Sequence, residues 1–131
     1  MTRINVGIHP VELPSKLLLA EHREIKRIPN TIKSGKAIFK NIPETFRLGA
    51  GHVKFFYTRI KYLRDRYDSI YKECKRRSMN VMDYSSCFEN LPDIAYSQEY
   101  FPNSLDRQMI IDRIRERGFE LLRVECDVCT T

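Results

Sequence analysis

One run of apolar residues constrains the fold of this chain more than any other feature. Between residues 53 and 74, an apolar side chain returns every third or fourth position. This spacing puts them on one side of an α-helix, which has about 3.6 residues per turn. The stripe comprises Val53, Phe56, Ile60, Leu63, Tyr67, Ile70 and Cys74, and the other face carries Lys54, Arg59, Lys61, Arg64, Lys72, Lys75 and Arg76. The segment is therefore predicted to be a long helix with a buried face and a basic face.

A second helix is predicted near the start of the chain. It begins at Pro14-Ser15 and ends near Ile28, because Pro29 disfavours a helical conformation at the residue before it. One side carries Leu18, Ile25 and Ile28, and the opposite side carries Lys16, Arg23 and Arg27, with Glu24 between the two. The basic side suits an anionic ligand, and it equally suits an exposed helix face with salt bridges.

The third predicted helix lies near the C-terminal end. Asn103 or Ser104 is a favourable N-cap, Asp106 lies in the first turn, and Gly118 is a suitable C-terminal stop. The apolar side of this helix comprises Leu105, Ile110, Ile111 and Ile114.

The segments between the helices predict irregular connections. Residues 30–48 and 78–102 are interrupted by glycine, proline, asparagine and aspartate. The tail, residues 119–131, is predicted to pack as an extended strap. We therefore predict an all-α fold in which residues 1–131 form a single domain of three main helices.

The charge balance indicates a polyanionic partner. The chain holds 23 lysines and arginines against 17 aspartates and glutamates, which gives a formal net charge of +6. Such an excess of positive charge favours nucleic acid as the partner, although a charge of this size can also simply make the protein more soluble. The chain has no stretch of about 18 apolar residues and no signal-peptide pattern at its start. We expect no membrane partner and a cytoplasmic location, which is the host cytoplasm if the protein is viral.

Cysteine spacing leaves a zinc-binding interaction protein as one alternative. Cys126 and Cys129 are spaced like half a zinc site, and Cys74 and Cys87 would complete it only if the tail folded back onto them. We interpret the thiols as incidental and predict no metal. The three histidines, His9, His22 and His52, are predicted to be surface or capping residues, because a catalytic histidine needs a positioned partner.

The first residues allow chemistry at the N-terminus. The small residue Thr2 favours removal of Met1 and a free α-amine on Thr2. An α-amine has a pKa of roughly 7.7–8.0, against about 10.4 for lysine, so a useful fraction is nucleophilic near neutral pH. Such an amine can attack an electrophilic carbon and form an imine. Most chains that begin Met-Thr make no such use of it, so these residues alone leave the question open.

Three stretches together resemble one known family. They read MTRIN at residues 1–5, AEHRE at 20–24 and LGAGHVKFFY at 48–57. They are similar to MTRIN, AEYRE and LGAGHVTFFY of the pyrimidine dimer DNA glycosylases typified by bacteriophage endonuclease V. The likeness continues through Tyr100-Phe101-Pro102 and covers most of residues 1–118. It implies a fold of three helices with the N-terminal segment threaded between them.

The resemblance also implies an activity, namely DNA glycosylase with abasic-site lyase. The α-amine of Thr2 would attack the sugar C1′ at the 5′ base of a cyclobutane pyrimidine dimer, leaving a protein–DNA imine. Glu24 would assist this step and the β-elimination that cuts the strand. The residues expected to bind the damaged nucleotide and its phosphates are Arg3, Arg23, Arg27 and Lys16. The expected partner is double-stranded DNA with ultraviolet damage or abasic sites, bound by a monomer without any cofactor.

This sequence departs from the family pattern at positions that bear on which DNA lesion is recognised. The aromatic family tail WYKYYG is absent, and residues 120–126 read ELLRVEC instead. A histidine of the first family helix corresponds to Leu17, and Lys16 stands in place of a glutamine. Two alternatives therefore stay open: a glycosylase/lyase for another lesion, and a non-catalytic basic DNA-binding module of the same fold.

Overall fold

Helices form all the regular secondary structure in residues 2–123, the part of the chain that this computed structural model describes. The α-helices are Ser15–Glu24 (α1), Arg27–Lys33 (α2), His52–Phe55 (α3), Ile60–Arg76 (α4) and Ser104–Glu116 (α5). Short 3-10 helices cover Pro10–Glu12, Phe56–Thr58, Ser85–Phe88 and Asp93–Tyr96. The all-α prediction is confirmed for this part of the chain, with α1, α4 and α5 as the long helices. Met1, Cys126 and Cys129 lie outside the described residues.

The predicted central helix is interrupted at Arg59. Its apolar stripe is buried from Phe56 to Cys74 as predicted. The segment is not one helix, however: α3 and a 3-10 turn cover the part before Arg59, and α4 covers the part after it. Arg59 adopts φ −123° and ψ 38°, outside the helical region. The prediction that Arg59 belongs to the basic face, open to solvent or to nucleic acid, is wrong, because its side chain is buried. The guanidinium donates to the carbonyls of Phe55 and Pro43, at 2.8 and 3.2 Å, and thereby fastens the preceding loop to the helix start.

The helix predicted from Pro14-Ser15 to Ile28 is divided into two in the structure. Helix α1 ends at Glu24, and α2 begins at Arg27 and continues through Pro29. Pro29 is tolerated because it lies in the first turn of α2, where backbone N–H groups have no partner within the helix. The apolar residues Ile25 and Ile28 are fully buried on either side of this junction. The predicted apolar side is therefore correct, and the predicted single helix is wrong.

The N-terminal segment passes between the helices without forming one itself. Ile4, Val6 and Ile8 are fully buried, and the backbone turns between Asn5 and Ile8, where Gly7 adopts φ +72° and Ile8 N–H donates to Asn5 O at 3.4 Å. Because this segment forms neither a helix nor a strand, side chains of the surrounding helices bind its backbone carbonyls. Arg66 of α4 donates to Ile8 O at 2.7 Å, and Arg107 of α5 donates to Gly7 O at 2.8 Å. The threaded arrangement that the resemblance implied is confirmed.

Helix α5 begins and ends where its sequence predicts. The Asn103 side chain accepts from Asp106 N at 2.8 Å, and the Asp106 carboxylate accepts from Asn103 N in return. Gly118 adopts φ +85°, which ends the helix and turns the chain back. Leu105 was predicted to lie on the apolar side, but it is 67% exposed because it lies on the side of α5 opposite the buried Ile110 and Ile114. The strap is confirmed as far as Leu122, whose N–H donates to Glu12 O at 2.7 Å.

Candidate active site

Glu24 occupies the position at which α1 meets the N-terminal segment. Its Oε1 accepts a hydrogen bond from the backbone N–H of Arg3 at 3.0 Å, and its Oε2 lies 3.8 Å from Nη2 of Arg23. The residue is only 9% exposed. The nitrogen that donates to Glu24 belongs to the peptide bond that follows Thr2. Thr2 and Glu24 are the two residues predicted to be catalytic. They are 22 positions apart in the sequence, and the fold brings them close together.

Residues from two distant elements fix the position of this N-terminal segment. Nε2 of His52 accepts from the backbone N–H of Ile4 at 3.0 Å, and Nη2 of Arg113 donates to Oδ1 of Asn5 at 3.2 Å. Asn5 in turn donates to Oε1 of the buried Glu21 at 2.8 Å. Because these contacts begin two residues after Thr2, they limit the positions that Thr2 can take.

His52 is a buried, neutral histidine, so the prediction that it is a surface or capping residue is wrong. Its Nδ1 lies 2.9 Å from Arg47 O, and since Nε2 accepts from Ile4, Nδ1 must carry the proton. Burial is the main reason that the pKa of His52 falls to about 4. His22 is also buried, and burial lowers its pKa as well. His9 alone behaves as predicted, because its Nδ1 caps the 3-10 helix that starts at Pro10.

Arginines of α5 and of the turn after it complete the surroundings of Glu24. Arg117 lines two adjoining cavities that Glu24 also lines, and Arg3 lines one of them. Burial, and next the positive charge of Arg3, lower the pKa of Arg113 to about 10, so Arg113 is still charged at neutral pH. Sequence reasoning missed Arg113 and Arg117. Their spacing of four residues, next to the buried Ile110 and Ile114 on the same side of the helix, was the signal that could have found them.

The larger of the two cavities has a volume of about 340 Å³. Two of the predicted DNA-binding residues, Lys16 and Arg23, line it together with Glu24. Arg27 lines neither of the two cavities and lies exposed at the start of α2. The structure therefore gathers Arg3, Arg23 and Lys16 around Glu24, whereas Arg27 lies outside the cavities.

A comparison with protein families shows which family this chain belongs to. The sequence model of the family described as pyrimidine dimer DNA glycosylase matches residues 1–83, which is more than half of the chain. The chain belongs to this pyrimidine dimer DNA glycosylase family. Membership implies a DNA glycosylase function in DNA repair and a DNA substrate.

The family match includes one half of the site and leaves out the other. Residues 1–83 contain the N-terminal segment, α1 with Glu24, and His52. Helix α5 and the arginines at positions 113 and 117 lie beyond the matched region. The family match thus includes the pair Thr2 and Glu24, whereas part of the wall of the Glu24 cavity comes from the unmatched region.

One wider cleft, of about 480 Å³ between α4 and residues 83–88, suits a DNA glycosylase less well. It is lined by three aspartates and only two cations: Asp65, Asp68, Asp83, Arg64 and Lys72. Aspartates repel the phosphates of DNA, whereas Glu24 lies among arginines. We therefore assign the candidate active site to the surroundings of Glu24.

Within residues 2–123, no helix is long and apolar enough to cross a membrane. In the same range, no three histidine, cysteine, aspartate or glutamate residues cluster in a way that could hold a metal ion. Cys74 is buried and Cys87 is half-buried, and both are free thiols. Burial raises the pKa of Cys74, which disfavours the thiolate that a metal requires.

Proposed function

We propose that this protein is a DNA glycosylase with abasic-site lyase activity that acts on cyclobutane pyrimidine dimers in double-stranded DNA. The nucleophile is the α-amine of Thr2 after Met1 has been removed. The observation that carries the proposal is the 3.0 Å hydrogen bond from the Arg3 N–H to Glu24, because it sets a nearly buried carboxylate beside the residue that would bear this amine. Family membership supports the same assignment.

The proposed reaction starts with the amine of Thr2. Its lone pair forms a bond to C1′ of the deoxyribose, and the base leaves with the electrons of the glycosidic bond and takes up a proton. Opening of the sugar ring converts the adduct into an imine. Glu24 then accepts a proton from C2′, and the 3′ phosphate leaves by β-elimination, which cuts the strand. The imine withdraws electrons from C2′, so the amine serves both steps and no cofactor is required.

Protonation states favour these roles near neutral pH. An α-amine has an ordinary pKa of roughly 7.7–8.0, and a nearby positive charge such as that of Arg3 lowers it further. A useful fraction of the amine is then in its nucleophilic form near neutral pH. The guanidinium of Arg23 lies 3.8 Å from the Glu24 carboxylate and offsets its negative charge.

The basic side chains around Glu24 bind the DNA backbone in this proposal. Arg3, Arg23, Arg117 and Lys16 contact phosphates near the lesion, and Arg27 contacts a phosphate further along the strand. Such contacts position the protein without reading sequence, and the distorted duplex is recognised by its shape and deformability. The whole chain acts as one domain and as a monomer.

Strand cleavage of a duplex with one site-specific dimer tests this function. We expect the wild-type protein to cut it, and Glu24→Gln to bind with unchanged affinity but cut at least 100-fold more slowly, since loss of a positioned acid–base group costs roughly 10²–10⁴-fold. Glu89→Gln, at an exposed glutamate away from Glu24, is the matched control and retains the wild-type rate. A Glu24→Gln variant that cuts as fast as wild type contradicts the assignment of Glu24.

A second substrate separates the alternatives that the sequence left open. Cleavage of abasic duplex without cleavage of dimer duplex would indicate a lyase for another lesion. Salt-sensitive binding without cleavage of either duplex would indicate a non-catalytic DNA-binding module.

A further inference from the structure

Asn5 and Glu21 belong to the two motifs that supply Thr2 and Glu24, yet neither has a role in the chemistry proposed above. Asn5 ends the stretch MTRIN, and Glu21 lies within AEHRE. Nδ2 of Asn5 donates to Oε1 of Glu21 at 2.8 Å, and the two residues are only 5% and 1% exposed. The two motifs are therefore joined by two hydrogen bonds, this one and the bond from the Arg3 N–H to Glu24.

Arg66 of α4 holds the Glu21 carboxylate from the other side. Its Nη2 donates to Oε1 of Glu21 at 3.0 Å, and its Nε donates to Oε2. The third donor of the guanidinium, Nη1, binds Ile8 O at 2.7 Å. Removing two charges from water is unfavourable, and a well-packed apolar pair is often as stable as a buried ion pair. Stability alone therefore does not account for this pair, which points to a role in fixing the geometry of the segment that it contacts.

The contacted segment is a closed turn at residues 5–8. Ile8 N–H donates to Asn5 O at 3.4 Å, and Gly7 adopts φ +72°. The turn is bound at its start through the Asn5 side chain and at its end through the Ile8 carbonyl. Thr2 lies three residues before this turn, which is a distance of about 10 Å along an extended backbone. A shift of the turn would therefore move Thr2 relative to α1.

We propose that Asn5 and Glu21 are positioning residues for the reaction: supported by Arg66, they hold the turn at residues 5–8 so that the α-amine of Thr2 stays beside Glu24. The proposal rests on the glycosylase and lyase function proposed above. Asn5 and Glu21 are buried, so they act through the backbone and not by contact with DNA. A misplacement of about 1 Å at a reacting group can lower the rate roughly 100-fold.

Replacing Asn5 by leucine tests this role. Asn5→Leu has a similar size and leaves the contact of Arg66 with Glu21 in place, but it cannot donate to Glu21. On abasic duplex we expect kcat for strand cleavage to fall roughly 10- to 100-fold while KM stays within about twofold, since the cations that bind phosphates are unchanged. Asn80→Leu, at an exposed asparagine, is the matched control and keeps both values. Circular dichroism at the assay temperature gives the folded fraction by which each rate is divided.

Reversing the hydrogen bond separates positioning from a general loss of packing. Asn5→Asp sets a second carboxylate against Glu21, where neither can donate, so we expect a loss of kcat like that of Asn5→Leu. When Asn5→Asp is combined with Glu21→Gln, the glutamine amide donates to the new carboxylate, and its oxygen still accepts from Arg66. We expect this double variant to exceed the kcat of Asn5→Asp roughly fivefold or more, although loss of the ion pair makes it less stable than the wild type.

The possible outcomes separate this inference from the function on which it rests. A wild-type kcat in Asn5→Leu, or a change in KM alone, overturns the positioning role while the lyase function stands. A double variant that is no faster than Asn5→Asp also overturns it, and this comparison decides the matter if Asn5→Leu does not fold. A wild-type protein that cuts neither abasic nor dimer duplex overturns the proposed function itself.

Discussion

Acid should weaken this protein in large part through the buried His52. Its ring joins the N-terminal segment to the loop before α3, since Nε2 accepts from Ile4 N–H and Nδ1 lies 2.9 Å from Arg47 O. The ring packs against Phe46 and Phe56. A proton on Nε2 removes the acceptor for Ile4 and places a charge in an apolar site. Of the charged groups that face it, Arg113 opposes this proton and Glu21 favours it.

The pKa of His52 sets the size of the effect. It is 6.5 in an unfolded chain and about 4 in the native protein, chiefly because of burial. The native protein therefore keeps His52 neutral between these values, while the unfolded chain takes up a proton and gains stability. The free energy of unfolding contributed by His52 is fully present above pH 6.5 and is lost as the pH falls towards 4. The difference of roughly 2.5 pH units corresponds to about 3 kcal/mol.

Urea unfolding at a series of pH values measures this loss. Between pH 6.5 and 4, the unfolding free energy of the wild type should fall about 3 kcal/mol more than that of His52→Gln, whose amide can donate and accept but does not titrate. The exposed His9 provides the matched control, and His9→Gln should follow the wild-type pH dependence. His22 titrates in all three proteins, so its contribution cancels. Parallel pH dependence of wild type and His52→Gln would refute the reasoning.

Two further predictions concern charged residues. Arg66 makes a bidentate contact with the buried carboxylate of Glu21. We expect Arg66→Met to cost about 3–5 kcal/mol of unfolding free energy in urea, because it leaves this carboxylate buried and unpaired, and a second change, Glu21→Gln, to recover part of the loss. Failure of the second change to recover any stability would contradict this. Arg27→Gln should weaken DNA binding equally for damaged and undamaged duplex and reduce the slope of log K against log salt by roughly one, as measured by fluorescence anisotropy. An unchanged slope would show that Arg27 contacts no phosphate.

Local signals in the sequence predicted the parts of the fold that local interactions determine. The ends of α5 follow from Asn103 and Gly118, because capping involves residues only a few positions apart. The buried stripe of α4 follows from its periodicity. The break at Arg59 could not be predicted in this way, since the carbonyl of Pro43 that helps to hold its guanidinium comes from a loop 16 residues earlier.

The candidate site was predictable only at residues that belong to the family's sequence motifs. Thr2, Arg3, Arg23 and Glu24 were named from motifs, and the structure brings Arg3 against Glu24. The contacts that support this pair join residues far apart in sequence, such as His52 with Ile4. Others join the helices to one another: Arg66 with Glu21, and Arg117 with the lining of the Glu24 cavity. Periodicity assigns each of these residues to a helix face but does not show which distant residue it meets.

Reductive trapping tests the central claim most directly. The purified protein is mixed with dimer-bearing or abasic duplex in the presence of borohydride, which reduces an imine to a stable amine. Mass spectrometry of the digested adduct then locates the bond. The account predicts an adduct on the α-nitrogen of Thr2, in protein that has lost Met1. Strand cleavage with an adduct on a lysine, or with Met1 still in place, would contradict it.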